Sequence, residues 1–210
     1  DVVEEFDFET GRLLDTLDEL KLRDNTLVIY TSDNGPWNQK KYTDKKKGHP
    51  KDSIFWGDSG PLRNGKGSCY EGGYRLPCIV RWPGKIKEGR ISDAIVATID
   101  FMPTFANICK FKLPDGVRID GIDQTDLLLG KKEKGRDYFY FNRAGVRKGK
   151  WKYLKSNAYF HGYAVEDDRK KNEELYNLET DIGEKSNLAK DYPEKITELK
   201  KLMLSIESAK

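Results

Sequence analysis

Thr26-Leu27-Val28-Ile29-Tyr30-Thr31-Ser32-Asp33-Asn34-Gly35-Pro36 is the stretch on which the fold class turns. Its first half is a nearly continuous apolar, partly β-branched run, the pattern of a strand buried on both faces. Its second half stops abruptly in polar turn formers. Upstream, Val2, Val3, Phe6, Leu13, Leu17 and Leu20 recur at i+3 and i+4 steps, so an amphipathic helix leads into the strand. A helix feeding a continuous strand predicts parallel pairing in an α/β sheet. Polar residues just past the carboxyl end of such a strand are where open α/β sheets bind ligands.

Working outward, Leu76 to Trp82 reads as a second strand closed by Pro83-Gly84, and Ala94 to Thr98 as a third. Phe101, Met102, Phe105, Ala106 and Ile108 predict a helix with Asp100 at its N-cap and Pro103 in its first turn. From about Gly130 the texture changes to short strands with tight links, at 137–141, 146–148, 151–154 and 174–178. Pro193, Ile196, Leu199, Leu202, Met203 and Ile206 then space out a terminal helix. The expected class is therefore α/β. Residues 1–130 form part of a mixed, mainly parallel sheet sandwiched by helices, and residues 131–210 a small antiparallel α+β subdomain.

Composition narrows the function classes. The 210 residues carry 38 basic and 35 acidic side chains, a net charge of +3 that gives no ground for a nucleic-acid partner. No run approaches the roughly 18 apolar residues of a membrane span. Three cysteines exclude a disulfide-built scaffold. The chain opens on Asp1 inside a helical pattern, without initiator Met or leader-like segment, which is the expectation for a piece of a longer protein.

Asp33 and Asn34 put a carboxylate and an amide oxygen side by side, hard donors of the kind that suit Ca²⁺ or Mg²⁺; read alone, Asp-Asn-Gly is more often just a turn, and the metal reading needs other motifs. Gly65-Lys66-Gly67 lets backbone approach an anion closely and offers a point charge on a flexible stem, or is a glycine-rich loop with an exposed lysine. The segment from Trp37 to Gly60, with Lys40, Lys41, Lys45, Lys46, Lys47 and Lys51 among aromatic residues, reads equally as a solvated excursion and as a surface attracting anionic sugars.

Ser32-Asp33-Asn34-Gly35-Pro36, Leu62 to Ser68 running into Glu71-Gly72-Gly73-Tyr74-Arg75-Leu76-Pro77, and Trp82-Pro83-Gly84 together resemble the sulfatase family, of the alkaline phosphatase superfamily. The resemblance continues through Asp100-Phe101-Met102-Pro103-Thr104, Asp120-Gly121-Ile122-Asp123 and Gly149-Lys150-Trp151-Lys152-Tyr153. It closes on Glu174 to Asp181, Gly183-Glu184 and Asn187-Leu188. The blocks fall in family order over nearly the whole chain and match the C-terminal half of a sulfatase.

The resemblance implies hydrolysis of sulfate esters by a formylglycine (3-oxoalanine) nucleophile with a divalent cation, usually Ca²⁺, with Mg²⁺ as the alternative. It implies Asp33 and Asn34 as cation ligands and Lys66 as the sulfate-binding residue. His161 is a candidate catalytic or pocket residue, and His49 a candidate substrate-binding one. The expected substrate is a sulfated carbohydrate, and the expected partner the missing N-terminal half of the same protein, which would carry the nucleophile. Export to the periplasm, the cell exterior or the lysosome goes with the family. The alternatives are a phosphate or phosphonate ester hydrolase of the same superfamily and a non-catalytic sulfated-glycan-binding remnant.

No nucleophile is expected in this chain. The family's C/S-x-P/A-x-R motif is absent at Cys69, Cys78 and Cys109, which read as buried thiols, with Cys69 a candidate to line the site. Ser59-Gly60-Pro61-Leu62-Arg63 fits the five-residue pattern, but Asn64-Gly65-Lys66 follows it where the family motif continues toward a Thr-Gly pair.

Overall fold

The computed structural model describes residues 1–37, 57–156 and 172–209. In chain order its elements are α1 (Val2–Glu19), β1 (Val28–Thr31), α2 (Glu71–Tyr74), β2 (Cys78–Arg81), α3 (Phe101–Cys109) and α4 (Thr125–Leu128). Then follow β3 (Tyr138–Tyr140), β4 (Gly145–Lys148), β5 (Trp151–Leu154), β6 (Glu174–Asn177) and α5 (Pro193–Ser208). They belong to two compact units, one built from residues 1–31 and 78–136, the other from 32–77 and 137–210.

In the first unit, α1 starts where the Asp1 carboxylate accepts the backbone N–H groups of Val3 and Glu4, while Glu4 reaches back to the Asp1 amino group. That capping box satisfies donors the helix leaves open. Phe6 packs on Tyr30 of β1 with ring centroids 5.6 Å apart, yet no residue of α1 is buried. β1 pairs with β2 in antiparallel register, Val28 opposite Arg81 and Thr31 opposite Cys78. The mixed α/β class holds, but this pairing is not the parallel one the sequence suggests. The chain leaves β1 at Thr31 and returns directly opposite at Cys78, so β2 runs back along β1.

Residues 94–97 form no strand. They lead into a 3₁₀ turn at Thr98–Asp100. Asp100 precedes α3 as expected, but its carboxylate does not cap that helix. It accepts from the backbone of Ala97 (2.9 Å) and Ile122 (2.9 Å) and from the Gln124 amide (3.2 Å), with Arg136 at 3.5 Å. A fully buried carboxylate is thus satisfied by tying three segments of the unit together.

The second unit is a four-stranded antiparallel sheet in the order β3-β4-β5-β6, as the strand-rich texture predicts. Because side chains alternate along a strand, the register sorts them onto two faces. Val146, Tyr153 and Leu175 share one face and pack with Ile196, Leu199 and Met203 of α5. The other face carries Lys152, Leu154, Glu174 and Tyr176, and segment 69–74 covers it, with Cys69 and Tyr70 in one core with Phe141, Leu154, Tyr176 and Leu178. That second face positions the candidate site.

Candidate active site

The turn at 33–36 and the glycine-rich segment at 63–73 are knitted together by backbone. The Gly35 N–H donates to the Gly73 carbonyl at 3.0 Å, and the Lys66 N–H to the Pro36 carbonyl at 2.8 Å. The approach leaves no room for side chains: a Cβ on Gly35 would lie 1.7 Å from the Gly72 oxygen, and one on Gly72 2.1 Å from the Asn64 oxygen. Asn64 adopts φ 58° and accepts the Gly65 N–H on its own Oδ1, a conformation asparagine tolerates. The two stretches that carry Asp33, Asn34 and Lys66 are therefore held side by side in one unit.

Asp33 is exposed, and Asn34 and Lys66 are half-buried. The Asn34 amide donates to Asp33 Oδ1 at 2.5 Å, and the Ser32 hydroxyl donates to the Asn34 carbonyl at 3.0 Å. Among the described residues no hydrogen bond engages Asp33 Oδ2 or Asn34 Oδ1. A carboxylate oxygen and an amide oxygen left over on adjacent residues suit a hard cation. Among the described residues no group of three or more His, Cys, Asp or Glu could hold a metal. His49, His161 and most of the lysine-rich loop lie outside the described residues.

Beneath the glycine-rich segment is a buried charge cluster that sequence reasoning does not single out. Glu71, Lys152 and Glu184 are at most 2% exposed. Lys152 Nζ lies 3.0 Å from Glu71 Oε1 and 2.8 Å from Glu184 Oε1, and 4.6 Å from the centroid of the Phe141 ring. Glu184 also accepts the backbone N–H of Glu71 at 2.6 Å. Arg75 at 2.9 Å and Arg147 at 3.4 Å complete the shell of Glu71. Burial pushes the Glu71 carboxyl up, but Lys152, Arg75 and Arg147 together outweigh it and hold the group below the usual glutamate value. For Glu184 burial wins over Lys152, and its carboxyl is raised. Burial likewise pushes the Cys69 thiol up to about 11, so this cysteine is an inert core group. Cys78 and Cys109, expected to be buried, are exposed.

A second buried cluster adjoins it. Glu174 accepts the Tyr70 hydroxyl at 3.0 Å and the Tyr176 hydroxyl. Arg63 donates to Tyr176 Oη (2.9 Å) and to the Glu184 carbonyl (3.0 Å), and its guanidinium stacks 3.7 Å over the Tyr70 ring. A cavity of about 730 Å³ opens beside it, lined by Arg63, Asn172, Glu174, Tyr176, Lys185 and Asn187 among others. Arg63 thus has a packing role. Ser59 has one too, its hydroxyl donating to the carbonyls of Leu62 (3.0 Å) and Asn64 (2.7 Å). Serine and arginine of the nucleophile-like pattern are both engaged in shaping this loop.

A sulfatase family model matches residues 1–110, and a model of the N-sulphoglucosamine sulphohydrolase C-terminal region matches residues 64–209. The N-acetylgalactosamine-6-O-sulfatase of Bacteroides thetaiotaomicron is 35% identical over 99% of this chain and 41% of its own length. Human arylsulfatase A is 33% identical over 97% of this chain and 42% of its own. A Bacteroides thetaiotaomicron sulfatase structure from work on the metabolism of multiple glycosaminoglycans superposes with a TM-score of 0.75 at 33% identity. That match covers 97% of this chain and 43% of that one. The chain spans about two fifths of the length of these relatives.

Proposed function

This chain belongs to the sulfatase family, and from that premise we propose that it is the part of a sulfuric ester hydrolase that grips the sulfate group and supplies half of a cation site. The relatives named for N-acetylgalactosamine sulfate and for glycosaminoglycan metabolism point to a sulfated carbohydrate as substrate. Export from the cytoplasm belongs to the same proposal. Among the described residues no helix is long and apolar enough to cross a membrane.

The observation that carries the reading is the backbone stitching of Gly35 to Gly73 and of Lys66 to Pro36. It sets an oxygen-donor pair and an ammonium group on adjoining backbone, as a sulfate-gripping site needs. In the proposed mechanism Lys66 donates to sulfate oxygens and offsets the charge that builds on them during displacement at sulfur. Asp33 and Asn34 would hold the divalent cation, Ca²⁺ or Mg²⁺, through their carboxylate and amide oxygens. When bound, such a cation supplies Lewis acidity toward the sulfate oxygens. The formylglycine nucleophile is assigned to a part of the protein other than these residues. Gly35, by leaving room for the backbone of Gly72 and Gly73, and those two glycines, by leaving room for the backbone of 63–68, keep the two stretches in register as the substrate arrives.

In the full-length protein, Lys66→Ala and Asp33→Ala are each expected to lower kcat/KM on a sulfated sugar about 100-fold or more, the scale of losing a charged group that acts on the transition state. Near-native rates in both variants would sink the assignment. The 210-residue chain alone is expected to leave a chromogenic aryl sulfate intact even with added Ca²⁺.

A further inference from the structure

The two stretches of the candidate site share one anchor, and it lies out of reach of any substrate. Glu71 opens the short turn Glu71–Tyr74. Its backbone N–H is held by Glu184 and its carboxylate by Lys152, and Lys152 also holds Glu184. The ammonium of Lys152 thereby closes a ring: Lys152 to the Glu71 carboxylate, along the Glu71 backbone to its N–H, across to the Glu184 carboxylate, and back to Lys152. From that turn two connections lead to the site. The Gly73 carbonyl takes the Gly35 N–H, which fixes the backbone next to Asn34. The Gly72 N–H donates to the Arg63 carbonyl at 2.9 Å, fixing the start of the segment that carries Lys66.

Lys152 stands on β5, in register with Tyr176 and Arg147 of its neighbouring strands, so its own position is set by the sheet. It is fully buried, with the Phe141 ring as its apolar neighbour. A buried ammonium shared by two buried carboxylates is demanding to assemble, and a core needing only stability would use apolar residues as well or better. What the charged arrangement adds is a fixed distance and direction. Two hydrogen bonds, from the Glu71 N–H to Glu184 and from Lys152 to the Glu71 carboxylate, converge on one turn, and the Lys152–Glu184 ion pair holds their far ends together.

We propose that Lys152 is a positioning residue for the candidate sulfate and cation site: through Glu71 and Glu184 it sets the spacing between the Asp33–Asn34 pair and Lys66. This rests on the assignment of those three residues, and the experiment is built to separate the two. In the full-length protein the variants are Lys152→Met, which keeps length and removes charge, the double variant K152M/E184Q, which also removes the carboxylate left unpaired, and Lys152→Arg. Asp33→Ala and Lys66→Ala serve as references. The readouts are calorimetric affinity for Ca²⁺ and for inorganic sulfate, and hydrogen exchange at the Gly35 and Lys66 amides against the β4–β5 amides.

The expected result is that K152M/E184Q weakens both affinities about tenfold or more. The Gly35 and Lys66 amides exchange at least tenfold faster, the β4–β5 amides stay protected, and Lys152→Arg recovers most of the affinity. A merely structural role would move the β4–β5 amides together with the others and leave the affinity of the folded fraction intact. Unchanged affinities in K152M/E184Q while both reference variants lose binding would overturn the positioning role alone. Unchanged affinities in Asp33→Ala and Lys66→Ala would overturn the site assignment, and the positioning role with it. Should both Lys152→Met and the double variant unfold, Glu71→Gln, which keeps the Lys152–Glu184 pair, is expected to give the same localised gain in exchange, and its absence would overturn the proposal.

Discussion

Gly35 admits no side chain, because its Cα faces the Gly72 carbonyl at a distance that a Cβ would shorten to 1.7 Å. Gly35→Ala should therefore push the turn off the glycine-rich segment, at the upper end of the roughly 1–3 kcal/mol that overpacking costs. The check is the urea midpoint together with exchange of the Lys66 amide, and a variant as stable and as protected as the parent would refute the close approach. Gly35 is legible in the sequence as a turn former beside Asp33 and Asn34, and Lys66 as a cation between glycines. Glu71, Lys152 and Glu184 are not legible as a cluster. Each is a charged residue of the kind normally exposed, and their partners lie 81 and 113 residues away along the chain. The family blocks contain all three residues without saying that they meet.

At the scale of elements, the turn at Glu71–Tyr74 and strand β5 are joined by charge, so their union depends on pH. The Glu71 carboxyl lies below its ordinary value, so the unfolded chain binds that proton more readily than the folded one. Its contribution is fully present above the ordinary glutamate value of about 4.3 and is lost as pH falls through the lower, folded value. Glu184 has the opposite sign. Its raised carboxyl takes up a proton while the unfolded chain remains ionised, so falling pH stabilises the fold until the ordinary value is passed. Thermal unfolding followed from pH 3 to pH 7 should show Glu71→Gln flattening the loss on the acid side, and Glu184→Gln removing the gain above the ordinary value. Two parallel profiles would contradict this division. Strands β3 to β6 and helix α5 follow their sequence periods closely. The direction of β2 does not, because an apolar run such as Cys78–Arg81 reads the same whichever way its partner points. The expected strand at 94–98 fails because the buried Asp100 carboxylate bonds back to the Ala97 N–H and turns this segment.

Across the whole molecule, the two compact units are interleaved along the chain, and residues 32–77 leave and re-enter the first unit at a single cross-strand pair, Thr31 and Cys78. Opposite residues in an antiparallel ladder bring their Cβ atoms to about 4.5–5.5 Å, close to what a disulfide spans. Thr31→Cys is thus expected to oxidise with Cys78 and to stabilise the protein by about 3–4 kcal/mol on the chain-entropy account of a closed loop of this size. Comparing melting under oxidising and reducing conditions reads the shift, and no bridge or no shift would argue against the observed register. The sequence suggests a boundary near residue 130, since texture changes there, but texture carries no signal that an earlier segment packs with a later sheet. That arrangement also imposes an order on synthesis. When Glu71 leaves the ribosome, its counter-charge Lys152 and Glu184, the acceptor of its backbone N–H, have yet to be translated, and at about 5–20 residues per second the wait for Glu184 is on the order of ten seconds. Throughout that interval the glycine-rich segment lacks this anchor, so on the proposed reading the nascent protein acquires its sulfate grip only when β6 and the turn after it emerge.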